Sequence, residues 1–151
     1  IRAVRDERFK YIRNGYPQRP HLQPNVYKDE KSICKALREW HAAGKLDALQ
    51  ERILFSPQRA EEELYDLASD PWELNNLAGD PAYAAPLARM RQILDRWIEE
   101  TGDRGQQVEP MAMYDSDMKV YLDNFRLNDP RRAAMIEANS ALMKQWWSEG
   151  K

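Results

Sequence analysis

Ile1-Arg2-Ala3-Val4-Arg5, Asp6-Glu7-Arg8, Phe9-Lys10-Tyr11-Ile12-Arg13 and Asn14-Gly15 open the chain. A charged triplet separates two runs rich in strand formers, which predicts a β-hairpin over residues 1–14. In the second run Phe9, Tyr11 and Arg13 share one face, and Lys10 and Ile12 share the other. Apolar side chains on both faces predict a central strand, covered on each side. Asn14-Gly15 is a turn signal that ends it.

A further short strand is expected near 62–67, where Leu64-Tyr65-Asp66-Leu67 is apolar with one acid. The rest of the chain reads as helix and loop, so the expected class is α+β. A small antiparallel sheet, the hairpin 1–14 plus the strand near 62–67, packs against helices, and a helical extension follows. The division expected is 1–110 and 111–151, with a last helix over about 130–149.

The helices are read from caps and spacing. Ser32 is positioned to cap a helix over 33–43 that Gly44 ends, and Ile33, Leu37 and Trp40 fall at i, i+4, i+7 along it. Helical periodicity continues through Leu46, Leu49 and Ile53 until Ser56-Pro57. Asp70-Pro71 predicts a capped helical turn over the following residues, with Glu73 three beyond the cap as in a capping box. Asp80-Pro81 repeats the signal. The main helix is expected over 86–101, burying Leu87, Met90, Leu94, Trp97 and Ile98, and stopping at Gly102. Residues 103–112 read as a linker. Met118, Val120 and Leu122 alternate with Lys119, Tyr121 and Asp123, which allows a short strand there. Asp129-Pro130 opens the last helix, with Ile136, Ser140, Met143 and Trp147 on one face.

Composition narrows the function classes. The chain has 151 residues, 42% hydrophobic and 32% charged, enough for one domain with a core. Its net charge of −2 gives no electrostatic footprint for nucleic acid. No run approaches the roughly 20 apolar residues that span a bilayer. One cysteine, Cys34, allows no internal disulfide and no cysteine-rich zinc site. The chain begins at Ile1 inside an expected strand, which predicts a C-terminal piece of something larger.

No complete catalytic constellation is visible, so no catalytic or metal-binding residue is assigned. There is no glycine-rich phosphate loop. His21 and His41 lie far apart in sequence. Asp115-Ser116-Asp117 lacks the further ligands of a calcium loop and reads as solvated loop acid. Glu61-Glu62-Glu63 reads as an exposed run before a strand. Arg131-Arg132 sits where a helix dipole disfavours cations, which hints at a partner acid or anion. The long loop over 17–31 is stiffened by Pro17, Pro20 and Pro24. It is either a surface connector or a binding loop holding Arg19, His21, Gln23 and Asn25 in an extended path.

Three stretches in register resemble a family. Arg5-Asp6-Glu7-Arg8-Phe9-Lys10-Tyr11-Ile12-Arg13-Asn14 resembles the hairpin that opens the C-terminal subdomain of sulfatases. Glu62-Glu63-Leu64-Tyr65-Asp66-Leu67, followed by Asp70-Pro71 and Glu73, Asn75, Asn76 and Leu77, resembles that family's next strand and turn. The helix through Trp97 to Glu100-Thr101-Gly102-Asp103 fits as well. The resemblance covers about residues 1–110.

The resemblance implies part of an enzyme of the alkaline-phosphatase-like superfamily that hydrolyses sulfate esters or sulfamates, with a sulfated carbohydrate as the natural substrate. The formylglycine nucleophile and the calcium site belong to the larger N-terminal domain. This chain is therefore expected to bind no cofactor, to be inactive alone, and to have that catalytic domain as its partner. The parent is expected to be periplasmic or secreted. Cys34-Lys35-Ala36-Leu37-Arg38 formally satisfies the short nucleophile pattern Cys/Ser-x-Pro/Ala-x-Arg. It lies mid-helix in the wrong subdomain with no acidic cluster, so no catalytic residue is carried over. The proline-stiffened loop is the part placed to shape a substrate-pocket rim, through Arg19, His21, Gln23 and Asn25. The alternatives are a free-standing protein-interaction module, anchored by Trp40, Trp97, Trp146 and Trp147, and the C-terminal part of a related phosphodiesterase or phosphonate hydrolase.

Overall fold

A computed structural model describes residues 1–151. In chain order the elements are β1 (Arg2–Arg5), β2 (Phe9–Arg13), α1 (Val26–Asp29), α2 (Ser32–Ala42) and α3 (Ala48–Gln50), which runs into a π-helical turn at Glu51–Phe55. Then follow β3 (Glu62–Asp66), a 3-10 turn at Pro81–Tyr83, α4 (Ala84–Thr101), α5 (Met111–Asn128) and α6 (Pro130–Ser148). The chain forms two compact units, one of residues 1–17 and 59–107, the other of residues 18–58 and 108–151. No helix is long and apolar enough to cross a membrane.

The first unit holds the sheet. The strands run antiparallel in the order β1-β2-β3, with Val4 opposite Tyr11 and Tyr11 opposite Leu64. β2 is the middle strand, as expected, but it is not covered on each side: Ile12, on the face opposite Tyr11, is half-buried and lies outside the core. Asp6 makes the hairpin turn: its Oδ1 accepts from the backbone N–H of Arg8 at 2.8 Å and of Phe9 at 2.6 Å. The Phe9 N–H, helped by the Arg89 guanidinium, holds the Asp6 carboxyl down at about 2. Phe9, Tyr11 and Leu64 meet Leu87, Met90 and Leu94 of α4 in one core. Tyr11, Leu64, Met90 and Leu94 are fully buried.

α4 begins at Ala84, two residues before the expected start, because Asp80 caps the 3-10 turn that feeds it. Pro86 falls in its first turn, where a missing N–H leaves no bond unmade. Gly102 ends it at φ 61°, in the left-handed region where glycine carries no steric penalty. The expected buried stripe is only partly so. Leu87, Met90 and Leu94 are buried, whereas Trp97 is 45% exposed.

The segment after Asp70 corrects the expected capped helix. It is a series of turns, and Glu73 sits at φ +57° rather than in a capping box. Asp70 Oδ2 accepts from Leu74 N–H and Asn75 N–H, both at 2.8 Å, and so shapes a loop. Glu73 reaches Lys10 instead, at 2.6 Å. The loop brings Asn76 against the free edge of β3. Its Oδ1 accepts from Leu64 N–H at 2.9 Å, and its Nδ2 donates to the Glu62 carbonyl at 2.9 Å. Leu77 N–H adds a bond to the Leu64 carbonyl at 2.8 Å. An amide side chain and one peptide thus satisfy an edge that would otherwise stand open.

The strand expected near 62–67 is β3, and Glu62 and Glu63 belong to it rather than to an exposed run before it. The second unit is helical. Val26, Leu122, Ala133 and Ile136 form its core, with Met118, Phe125 and Met135 packed against it. The strand allowed around 118–123 is absent, and those residues lie within α5. Asp115 and Asp117 are helical too, and Asp115 meets Lys144. In α2 the cap position is Lys31 and Ser32 is already helical. Its stripe stays open, with Ile33 66% and Trp40 50% exposed. Asp129 caps α6 by accepting from Arg132 N–H at 3.0 Å. The Arg132 guanidinium finds the acid that its position called for, Glu30 at 3.4 Å.

Candidate functional site

The proline loop belongs to the second unit from Gln18 onward and connects β2 to α1. Three prolines remove backbone donors, but the path is not the extended one expected: it runs through turns and bends over residues 17–22, and Gln23 N–H closes a tight turn on the His21 carbonyl at 3.0 Å. Leu22 N–H donates to the Leu54 carbonyl at 3.2 Å, which ties the loop to the π-helical turn. Asn25 then starts α1.

The four rim candidates are placed differently. Arg19 is 4% exposed. Its Nη2 donates to the Lys151 carbonyl at 2.7 Å, and its guanidinium lies over the Trp146 ring, 5.4 Å from the centroid. Asn25 Oδ1 accepts from Lys28 N–H at 3.1 Å, so its side chain caps a helix. Its own N–H donates to Asp29 Oδ2 at 2.9 Å. His21 is exposed and Gln23 half-buried. Arg19 and Asn25 thus anchor the two ends of the loop, and His21 and Gln23 lie between them.

A second polar cluster sits in the first unit. Glu62 bonds both Tyr11 Oη and the Arg91 guanidinium, and Arg13 bonds Tyr11 Oη at 3.1 Å and Asp95 at 2.7 Å. The Arg91 guanidinium holds the Glu62 carboxyl below its ordinary range, and burial pushes the Tyr11 hydroxyl up. Every acid here has a cation, so the cluster is an ion-pair network across β2, β3 and α4. Asp66, 2% exposed, is treated likewise by Arg8, whose Nε and Nη2 meet its two oxygens at 2.9 and 2.6 Å.

The residues of this chain do not make a calcium cage, since no group of three or more His, Cys, Asp or Glu side chains comes together. Cys34 is half-buried on α2, and Arg38 of the same short pattern pairs with Asp29, Nε to Oδ1 at 2.8 Å. His41 is exposed and its Nδ1 meets Glu51 at 2.8 Å.

The α+β architecture, with a sheet edge closed by an Asn-Asn-Leu turn, is where similarity to known proteins becomes informative. An ulvan-active sulfatase of Formosa agariphila is 38% identical over 138 residues, which takes in 82% of this chain and 22% of that protein. A Delta 4,5-hexuronate-2-O-sulfatase of Bacteroides thetaiotaomicron is 34% identical over 84 residues, 50% of this chain and 18% of that protein. The human N-sulphoglucosamine sulphohydrolase is 49% identical over 45 residues, 30% of this chain and 9% of that protein. No family model matches. The chain spans at most 22% of the length of these relatives. The resemblance carried by the motifs is therefore carried by sequence similarity as well: this chain is related to a segment of sulfatases.

Proposed function

We propose that the chain is the C-terminal part of a sulfatase that hydrolyses sulfate esters or sulfamates of a sulfated carbohydrate. The observation that carries this reading is the 38% identity to an ulvan-active sulfatase along 82% of the chain. A hexuronate-2-O-sulfatase and an N-sulphoglucosamine sulphohydrolase among the relatives favour a sugar as the sulfated compound. Residues 1–110 would be the subdomain common to the family, and 111–151 an extension of it.

In this reading the chain supports a catalytic domain that supplies the formylglycine and the calcium. Those groups would provide the nucleophile and the charge neutralisation for the sulfate. The chain itself would have no turnover. Its contribution would be the pocket rim, with Arg19 and Asn25 holding the loop in place and His21 and Gln23 offering hydrogen bonds to sugar hydroxyls. The parent would work outside the cytoplasm, in the periplasm or beyond it.

The test is made in the full-length parent. His21→Ala together with Gln23→Ala should raise KM for a sulfated oligosaccharide several-fold while leaving hydrolysis of a small aryl sulfate unchanged, since only the larger substrate reaches the rim. Equal effects on both substrates, or none on the oligosaccharide, would remove the rim role. Absence of any sulfate-ester hydrolysis by the unmutated parent would remove the sulfatase reading.

A further inference from the structure

α2 is an 11-residue helix with no buried residue. A helix this short persists in water chiefly when its apolar side is covered. Ile33 and Trp40 lie two turns apart on one side of it, 66% and 50% exposed, with Ala36 between them. Tyr27, on the preceding α1, is 63% exposed.

Charge singles out the same stretch. The chain has eight lysines. Lys10, Lys119, Lys144 and Lys151 each meet a carboxylate, at 2.5 or 2.6 Å. Lys28, Lys31, Lys35 and Lys45 meet none. Lys31 Nζ lies over the Tyr27 ring instead, 4.3 Å from its centroid. Lys45 N–H donates to the Trp40 carbonyl at 2.8 Å, which sets that residue at the Trp40 end of α2. Two of the three acids in the stretch are taken, Asp29 by Arg38 and Glu30 by Arg132. Glu39 is the one left without a cation.

We propose that this face of α1 and α2 is the docking surface for the parent's catalytic domain, which meets it with carboxylates around an apolar recess for Trp40. This rests on the sulfatase reading and names the place of the partner that the reading requires. Two observations select that occupant. The chain spans 22% of the ulvan-active sulfatase, so most of such a protein lies outside it and supplies the larger body. A second copy would set lysine against lysine across the contact, whereas an acidic surface would find four cations free of carboxylates. Trp40 and Tyr27 are the residue types that anchor such contacts, since a large ring is buried at small cost in rotamer freedom.

The test compares the full-length parent with the 151-residue chain by amine acylation and hydroxyl-radical oxidation, both read by peptide mass spectrometry. Acylation of Lys28, Lys31, Lys35 and Lys45 and oxidation of Trp40 should be at least about tenfold slower in the parent, because they await opening of the contact. Lys119, on α5, should react alike in both. High salt should raise acylation of the four lysines in the parent by about threefold, since it screens charge pairs at the edge of a contact. Lys31→Glu together with Lys35→Glu should speed Trp40 oxidation in the parent by about tenfold. Both side chains are exposed, so the urea midpoint of the isolated chain should not fall. Trp40→Ala removes the anchor instead and should free Lys45 in the parent to a similar extent.

Equal reactivity in parent and chain would overturn the proposal. So would protection that appears in the isolated chain as its concentration rises, the mark of a second copy. Lysines that stay open in the parent and are shielded only by phosphatidylglycerol vesicles would give the face to a membrane and overturn it as well. An open face in a parent that hydrolyses sulfate esters sinks this proposal alone. A covered face in a parent without that hydrolysis supports the docking surface and removes the sulfatase reading.

Discussion

Asn76 and Leu64 are joined edge to side chain: the Asn76 Oδ1 accepts the Leu64 N–H at 2.9 Å, while Asn76 Nδ2 donates to the neighbouring Glu62 carbonyl. Leu64 is fully buried, so its N–H cannot fall back on water. Replacement by alanine removes both bonds and leaves the Leu64 donor unmatched. Asn76→Ala should lower unfolding stability by about 1–3 kcal/mol, read as a fall in the urea midpoint at unchanged slope. Asn76→Asp keeps the acceptor but faces the Glu62 carbonyl with a second oxygen, and should also destabilise.

Leu94 has no exposed surface and faces Tyr11 and Leu64 in the sheet–helix core, whereas its neighbour Ile93 is 39% exposed. Leu94→Ala should cost about 2–5 kcal/mol through lost transfer energy and a residual void. Ile93→Ala should stay within about 0.5 kcal/mol. Chemical denaturation of the two variants side by side checks the contrast. Equal losses would mean that α4 packs with a different face.

Asp6 makes the acid limb of stability visible. Its carboxyl titrates at about 2 in the folded chain against 3.8 unfolded. A depressed folded value means that the unfolded state binds the proton first. The contribution is fully present above about pH 4 and is lost as pH falls toward 2. Asp103, held near 2 by Arg2, acts in the same window. Asp6→Asn should flatten the loss of thermal stability between pH 4 and pH 2. An unchanged acid limb would show that the Phe9 N–H bond does not control this group.

The isolated chain should not hydrolyse an aryl sulfate, and Cys34→Ala should make no difference. Cys34 lies on α2, and no acidic cluster that could hold a metal surrounds it. A rate above buffer that is lost in Cys34→Ala would establish the short pattern around Cys34 as a working nucleophile site.

How much of this was legible from residues alone varies by element. The middle place of β2 in the sheet agrees with the reading of it as central, but only one face is packed into the core: Phe9 and Tyr11 meet α4, while Ile12 on the other face is half-buried and outside that cluster. The Gly102 stop and the Asp80 and Asp129 caps are local chemistry and read directly. The stretch 118–123 did not. Met118, Val120 and Leu122 fit period two, but Met118, Leu122 and Phe125 also fit the helical period. Packing beside Ala133 and Ile136 decides for helix. The Asp70 turn misled for a different reason: Asp-Pro followed by Glu suits a capping box, yet the turn's work is to bring Asn76 to β3, a long-range role that no local rule encodes.

The candidate site was legible only as a loop. Pro17, Pro20 and Pro24 mark its stiffness, and between them His21 is exposed and Gln23 half-buried. That Arg19 turns inward onto Trp146 depends on α6, 127 residues further on, and nothing in the sequence spacing announces it.

The most direct test of the sulfatase assignment is peptide mass spectrometry of the full-length parent product, reading the residues upstream of Ile1. A Cys/Ser-x-Pro/Ala-x-Arg peptide with its first residue converted to formylglycine is the expected result, and would make this chain the C-terminal part of an active sulfatase. A parent with no such peptide upstream would contradict it.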